Sequence, residues 1–236
     1  MSNTLRFKMP LLDAAQAQKH VTINEALVRS DILSSGRVES RSLSQPPALP
    51  EDGNAYVVGI AAAGEWSGEE GSIALFLNGG WEFLSPWSGA RFWVEDEHSE
   101  ILFTNDEWIE ASVAASNGAA ATTGKVIEFD HDLAASTASV TPAVIPDKAI
   151  VLGVTGRVIS EITGPASWSL GVSGSPDRYG SGYGLTTGAF AHGVTGQPQA
   201  YFGATDLVIT SDGPAFTGGS IRLAVHCLSI SPPQAA

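Results

Sequence analysis

Between residues 125 and 226 the chain is a succession of short β-type runs, each closed by turn residues. The runs are 125–129, 149–154, 157–162, 167–172, 207–210 and 220–226. Apolar runs of this length, bounded by Gly, Pro, Asn, Asp and Ser at regular spacing, suit an all-β sandwich or barrel. With 26 Gly and 13 Pro in 236 residues, turn formers are plentiful. The fold expected is mainly β, with a C-terminal jelly-roll-like β-sandwich at 125–236.

The preceding third reads as hairpins. Residues 56–60, 73–77, 92–94 and 101–104 are apolar. Asn78-Gly79 is a hairpin turn signal, because both positions of that turn need positive φ. Trp66, Trp81 and Trp108 follow short runs and polar turns, and Trp87 and Trp93 lie between them. Tryptophans in hairpins pack across strands; these five are read chiefly as structural, with a sugar platform as the other reading. A β-hairpin domain is expected over 37–115. Residues 116–124, small and uncharged, read as a linker.

The first 36 residues differ in texture. Thr22-Ile23-Asn24-Glu25 fits a capping box, with Thr22 as N-cap and Glu25 at N3. Ile23, Ala26, Leu27 and Leu33 offer a partial apolar face, and Gly36 is a stop. One such helix is too short to stand alone. It is expected to dock on the β domain, a sister subunit or a partner, as an attachment and oligomerisation arm.

Composition narrows the function classes. The net charge is −13 and charged residues make up only 16%. An acidic surface repels phosphate backbones, so nucleic acid is not an expected partner. No basic cluster or long apolar run points to membrane insertion. Met1 to Lys8 has no apolar core of signal-peptide type, so synthesis in the cytoplasm without a classical signal is expected. The single cysteine, Cys227, excludes an intrachain disulfide and reads as a buried strand residue.

Catalytic and metal motifs are thin, and the expectation is of no enzyme and no cofactor. Glu128-Phe129-Asp130-His131-Asp132 reads as a strand end entering a solvated turn, and Glu95-Asp96-Glu97-His98 as a charged hairpin turn. No nucleophile elbow stands before a helix. An acid pair of glycosidase type among Glu161, Asp177, Asp206 and Asp212 stays open, since such acids need not be close in sequence.

The richest constellation runs from 164 to 206. It holds Trp168, Pro176-Asp177-Arg178-Tyr179-Gly180-Ser181-Gly182-Tyr183-Gly184, His192, Gln197, Gln199, Tyr201-Phe202 and Asp206. Aromatic faces stack on sugar rings, and planar polar side chains take hydroxyls in pairs. The carbohydrate contacts expected are Trp168, Asp177, Arg178, Tyr179, Tyr183, His192, Tyr201 and Asp206. A Gly-rich loop whose tyrosines merely cap the sandwich edge is the competing reading.

The residues Leu11-Leu12, Gln16-Ala17-Gln18-Lys19-His20-Val21-Thr22 and Asn24-Glu25-Ala26-Leu27 carry a resemblance. Downstream it continues in Pro46-Pro47, Glu51-Asp52-Gly53, Tyr56-Val57-Val58-Gly59, Trp66, Ile73-Ala74, Gly80-Trp81 and Pro86. Over roughly 4–110 the chain resembles a bacterial family of unknown function found in phage tail proteins and in fibre or head-spike proteins of gene transfer agents. Ile23 departs from the polar residue usual there. Ile145-Pro146-Asp147-Lys148, Leu152-Gly153-Val154-Thr155-Gly156-Arg157-Val158, Arg178-Tyr179-Gly180 and 216–224 are similar to the domain that often follows. The resemblance implies a homo-oligomeric spike or tail fibre, a trimer being favoured. It would be displayed on a phage-like particle, held to other virion proteins by the N-terminal arm, with a distal domain that grips capsular polysaccharide on the host cell. It supplies no binding residues. A purely structural or adaptor fibre subunit and a polysaccharide depolymerase are the alternatives.

Overall fold

The computed structural model describes residues 3–12, 19–110, 112–116, 118 and 120–233. The Gln16-Ala17-Gln18 portion of the family string lies outside the described residues. The chain divides into two units, one formed mainly by the first 112 residues and one mainly by the residues from 120 onward.

The first unit has one helix, α1 (Lys19–Ser34), and two small sheets. One sheet orders β1 (Arg37–Val38), β5 (Arg91–Val94), β6 (Ser99–Thr104) and β7 (Glu107–Glu110). The other orders β2 (Ala55–Val57), β3 (Ile73–Leu77) and β4 (Gly80–Leu84). Asn78 and Gly79 take φ of 52° and 77°, and Asn105 and Asp106 take 50° and 59°. Both hairpins therefore turn with two left-handed residues, the twist that matches the flanking strands.

The helix does not start where the capping box predicts, because α1 already runs from Lys19 through Thr22. Its buried side is also rotated from the expected one. Ile23 and Ala26 are exposed, while Asp31 and Ile32 are fully buried and Val28 and Leu33 pack on the core with Val38, Val57, Ile73 and Leu75. Gly36 does end it, with φ of 62° and its amide donating to the Leu33 carbonyl at 3.2 Å. The segment before the helix is tied to it through Asp31. That carboxylate accepts the Thr4 hydroxyl at 2.9 Å and the Arg6 and Phe7 amides at 2.6 Å each. Arg6 in turn donates to the Ile32, Arg37 and Gly53 carbonyls and to Ser35.

The second unit is a sandwich of two antiparallel sheets. The larger orders β13 (Phe190–Ala200), β11 (Ile150–Thr163), β15 (Gly218–Ser231), β9 (Ala121–Asp132) and β8 (Ser112–Ala115). The smaller orders β10 (Ala138–Ile145), β14 (Thr205–Asp212) and β12 (Ser167–Gly171). A rudimentary fourth strand lines β12. Trp168 and Tyr183 exchange backbone hydrogen bonds, as Leu170 does with Tyr179 and Gly180. Counted from β9 with 179–183 as fifth, the strands stand first-eighth-third-sixth in one sheet and second-seventh-fourth-fifth in the other. That interleaving is the double Greek key of a jelly roll.

Inward residues of both sheets share one core, with Val151, Val154, Leu223 and Val225 facing Ile145, Leu170, Leu207 and Ile209. Cys227 is buried among them, and burial pushes its thiol up from the ordinary value. Residues 121–124 of the expected linker are strand, the start of β9. β8 and β9 are neighbours in the sheet, and the Ser116 amide donates to the Ala120 carbonyl at 2.8 Å between them. Small, uncharged residues suit an edge hairpin as well as a linker, so composition did not distinguish the two.

Candidate functional site

The eight expected sugar contacts all fall in the sandwich, but they do not converge. Trp168 and Tyr179 are core residues, fully or almost fully buried. Trp168 faces inward from β12, donates its indole N–H to the Gly184 carbonyl at 2.9 Å and packs on the Tyr183 ring at 4.9 Å. Tyr179 bonds the Tyr201 hydroxyl at 2.7 Å, and burial above all raises its phenol well beyond the ordinary value. A ring without an exposed face cannot stack on a sugar, so neither is a contact. Tyr183 is half-buried and donates to the Tyr179 carbonyl, which makes it a brace of this segment.

His192 and Asp206 point away from each other. His192 stands between buried Ala191 and Gly193 on the outer face of the larger sheet, paired with Thr155. Asp206 precedes buried Leu207 on β14 and faces out from the smaller sheet. Alternation at period two separates them by the thickness of the sandwich, about 10 Å between sheets. One pocket within one subunit cannot contain both.

What the structure does bring together is a loop cluster between the fifth strand and the end of β13. Arg178 donates to the Gln199 Oε1 at 2.9 Å, while Tyr179 holds Tyr201. Tyr201 is fixed further by two backbone bonds, its carbonyl accepting the Lys148 amide at 2.8 Å and its amide donating to the Ala149 carbonyl at 3.0 Å. Asp177 is exposed beside Arg178, its carbonyl capping the turn through the Gly180 amide at 2.8 Å. One residue beyond Tyr201, Phe202 is 91% exposed. Gln199 and Phe202 belong to the wider constellation in sequence but not to the eight expected contacts. Their signal is position, in the reversal between two strands where a large ring has no core to enter.

A second cluster lies on the outer face of the larger sheet. Arg157 and Arg222 stand directly opposite each other on β11 and β15, and Asp130 of β9 is opposite Arg222. Asp130 takes the Arg222 guanidinium at 2.6 and 2.8 Å, which holds the carboxyl below and the guanidinium above their ordinary ranges. Glu128 is 3.9 Å from Arg222. Thr155 Oγ1 and His226 Nε2 are 3.0 Å apart. Thus the 128–132 run lies wholly on a strand, with Asp130 in an ion pair and His131 bonded to Ser139 at 2.8 Å. Among the described residues, no three His, Cys, Asp or Glu gather as a metal cluster.

The tryptophans of the first unit divide in two. Trp66 is buried in an aromatic group with Tyr56 and Trp81, ring centres 5.1 to 5.8 Å apart, in which Trp81 meets both other rings edge-on. Trp108 donates to the Gly71 carbonyl at 2.9 Å. Trp87 and Trp93 remain substantially exposed. Among the described residues, no helix is long and apolar enough to cross a membrane.

Nothing among curated proteins matches the chain. Among solved structures, a chain of the cyanophage Pam1 capsid asymmetric unit is similar at 28% identity and a TM-score of 0.37, over 52% of this chain and 94% of that one. Residues 23–109, within the first unit, match the family model described as "protein of unknown function (DUF2793)".

Proposed function

We propose that the chain is a surface spike or fibre subunit of a phage-like particle and that its jelly roll holds cell-surface polysaccharide. The particle assignment rests on the resemblance carried by residues 4–110. The polysaccharide assignment rests on one observation above others: Phe202 is 91% exposed, one residue beyond Tyr201 in the loop cluster where Arg178 holds Gln199 and Tyr179 holds Tyr201. A bare ring offers an apolar face to a pyranose, and an amide and a guanidinium in the same loop cluster can accept from and donate to hydroxyls. Holding those groups by existing hydrogen bonds reduces the ordering cost on binding. Several weak copies on one particle would add by avidity.

The test uses the full-length chain on an array of bacterial capsular polysaccharides, with Phe202→Ala and Arg178→Ala beside it. The wild type is expected to be retained. Each variant should lose about tenfold in affinity, about 1.4 kcal/mol, with an unchanged melting midpoint. No retention on any glycan would leave a structural subunit instead. New reducing ends in the incubated capsule would make it a depolymerase.

A further inference from the structure

We propose a second, acid-selecting saccharide subsite on the outer face of the larger sheet, built by Phe190, His192, Thr155, Arg157, Arg222 and Glu128. These residues line one shallow depression of about 420 Å³, room for a sugar unit. The proposal rests on the polysaccharide reading for its ligand class and adds the charge of the sugar.

The argument begins with a juxtaposition that sheets disfavour. Arg157 and Arg222 are directly opposed on neighbouring central strands. Side chains in that relation stand about 5 Å apart at Cβ, and like charges there cost stability. Asp130 compensates one of the two, gripping the Arg222 fork from the far side. Arg157 has no such partner. It donates to the Gly188 carbonyl at 3.1 Å, and among the described residues no carboxylate pairs with it. In a chain of net charge −13, an exposed guanidinium left without an acid is an anion site in waiting.

The surroundings specify more than an anion. Phe190, opposite Arg157 on the other side, is 64% exposed and offers an apolar plane. One pair further along, Thr155, His192 and Glu128 present hydroxyl, imidazole and carboxylate groups. The depression is therefore graded, cationic and aromatic at the Arg157 end and acidic at the Glu128 end. A pyranose bearing one carboxylate fits that gradient. Its carboxylate meets Arg157, its ring lies on Phe190, and its hydroxyls reach Thr155, His192 and Glu128.

The experiment is calorimetric titration of the full-length chain with acidic capsule oligosaccharides, each paired with its carboxyl-reduced form. The two differ only in the charge. Wild type should bind the acidic form at least about tenfold tighter. Arg157→Gln should abolish that preference without lowering the melting midpoint, and Phe202→Ala should weaken both forms while keeping it. Acetate at equal concentration should not displace the sugar. A preference that survives in Arg157→Gln, or displacement by acetate, overturns the subsite and leaves the polysaccharide reading intact. Loss of self-association in Arg157→Gln with sugar binding unchanged would make this face a contact between copies and would also overturn it. If neither form binds wild type, the polysaccharide reading falls as well.

Discussion

Asp31 shows how much one side chain can organise. It is fully buried, and burial by itself pushes its carboxyl up. The Arg6 and Phe7 amides, the Thr4 hydroxyl and the Arg6 charge outweigh burial and hold it below the usual carboxylate range. A carboxyl lowered on folding contributes stability that is complete above its unfolded value of about 4 and lost as pH falls through the folded value. Asp31→Asn should therefore cost about 2 kcal/mol at pH 7. The gap from wild type should begin to narrow only below about pH 4 and shrink further on acidification, as thermal melts over that range can follow. In sequence Asp31 is one more polar residue on a helix, and nothing local marks it as inward-facing. The same blindness affects the aromatics. The sequence favours Trp168 and Tyr179 over Phe202 for stacking, but the fold buries the first two and leaves the third bare.

At the level of elements, turns were the most legible part. Asn78-Gly79 requires two left-handed residues whatever surrounds it, so a local signal suffices. The fifth strand of the jelly roll was not legible, because 179–183 alternates Gly with Tyr and Ser and reads as loop. Tertiary packing makes it a strand. Gly193 of β13 lies against the Tyr179 backbone, and a Cβ at 193 would collide with it. Gly193→Ala is expected to cost about 1–3 kcal/mol and to shift the near-ultraviolet tyrosine signal as Tyr179 and Tyr201 part. A wild-type midpoint with an unchanged spectrum would show that the two strands can separate freely there.

For the whole molecule, spacing of β runs and turn residues pointed to a sandwich, but not to the order of its strands. That order comes from register between segments far apart in the chain, such as β9 with β15, about which local propensity is silent. Each unit has its own apolar core, so each should unfold as its own cooperative block. Trp168 is the sole tryptophan of the sandwich; the other five lie before residue 110. Trp168→Ala should lower the stability of the sandwich by about 3–5 kcal/mol and leave the other transition in place, as scanning calorimetry can resolve. A single transition that moves as one would contradict this.

The hairpin of β8 and β9 bears on how this protein can be cut. The boundary suggested by composition, residue 125, falls inside β9. A fragment begun there sheds β8 and Ala121 to Gly124, the ladder partners of Leu228 to Ser231. Donors and acceptors that were satisfied become an open rim beside exposed Ile230, a template for any passing strand. Residues that resemble a dispensable tether thus serve as the selvedge of the sheet, the woven border that keeps a cloth from fraying.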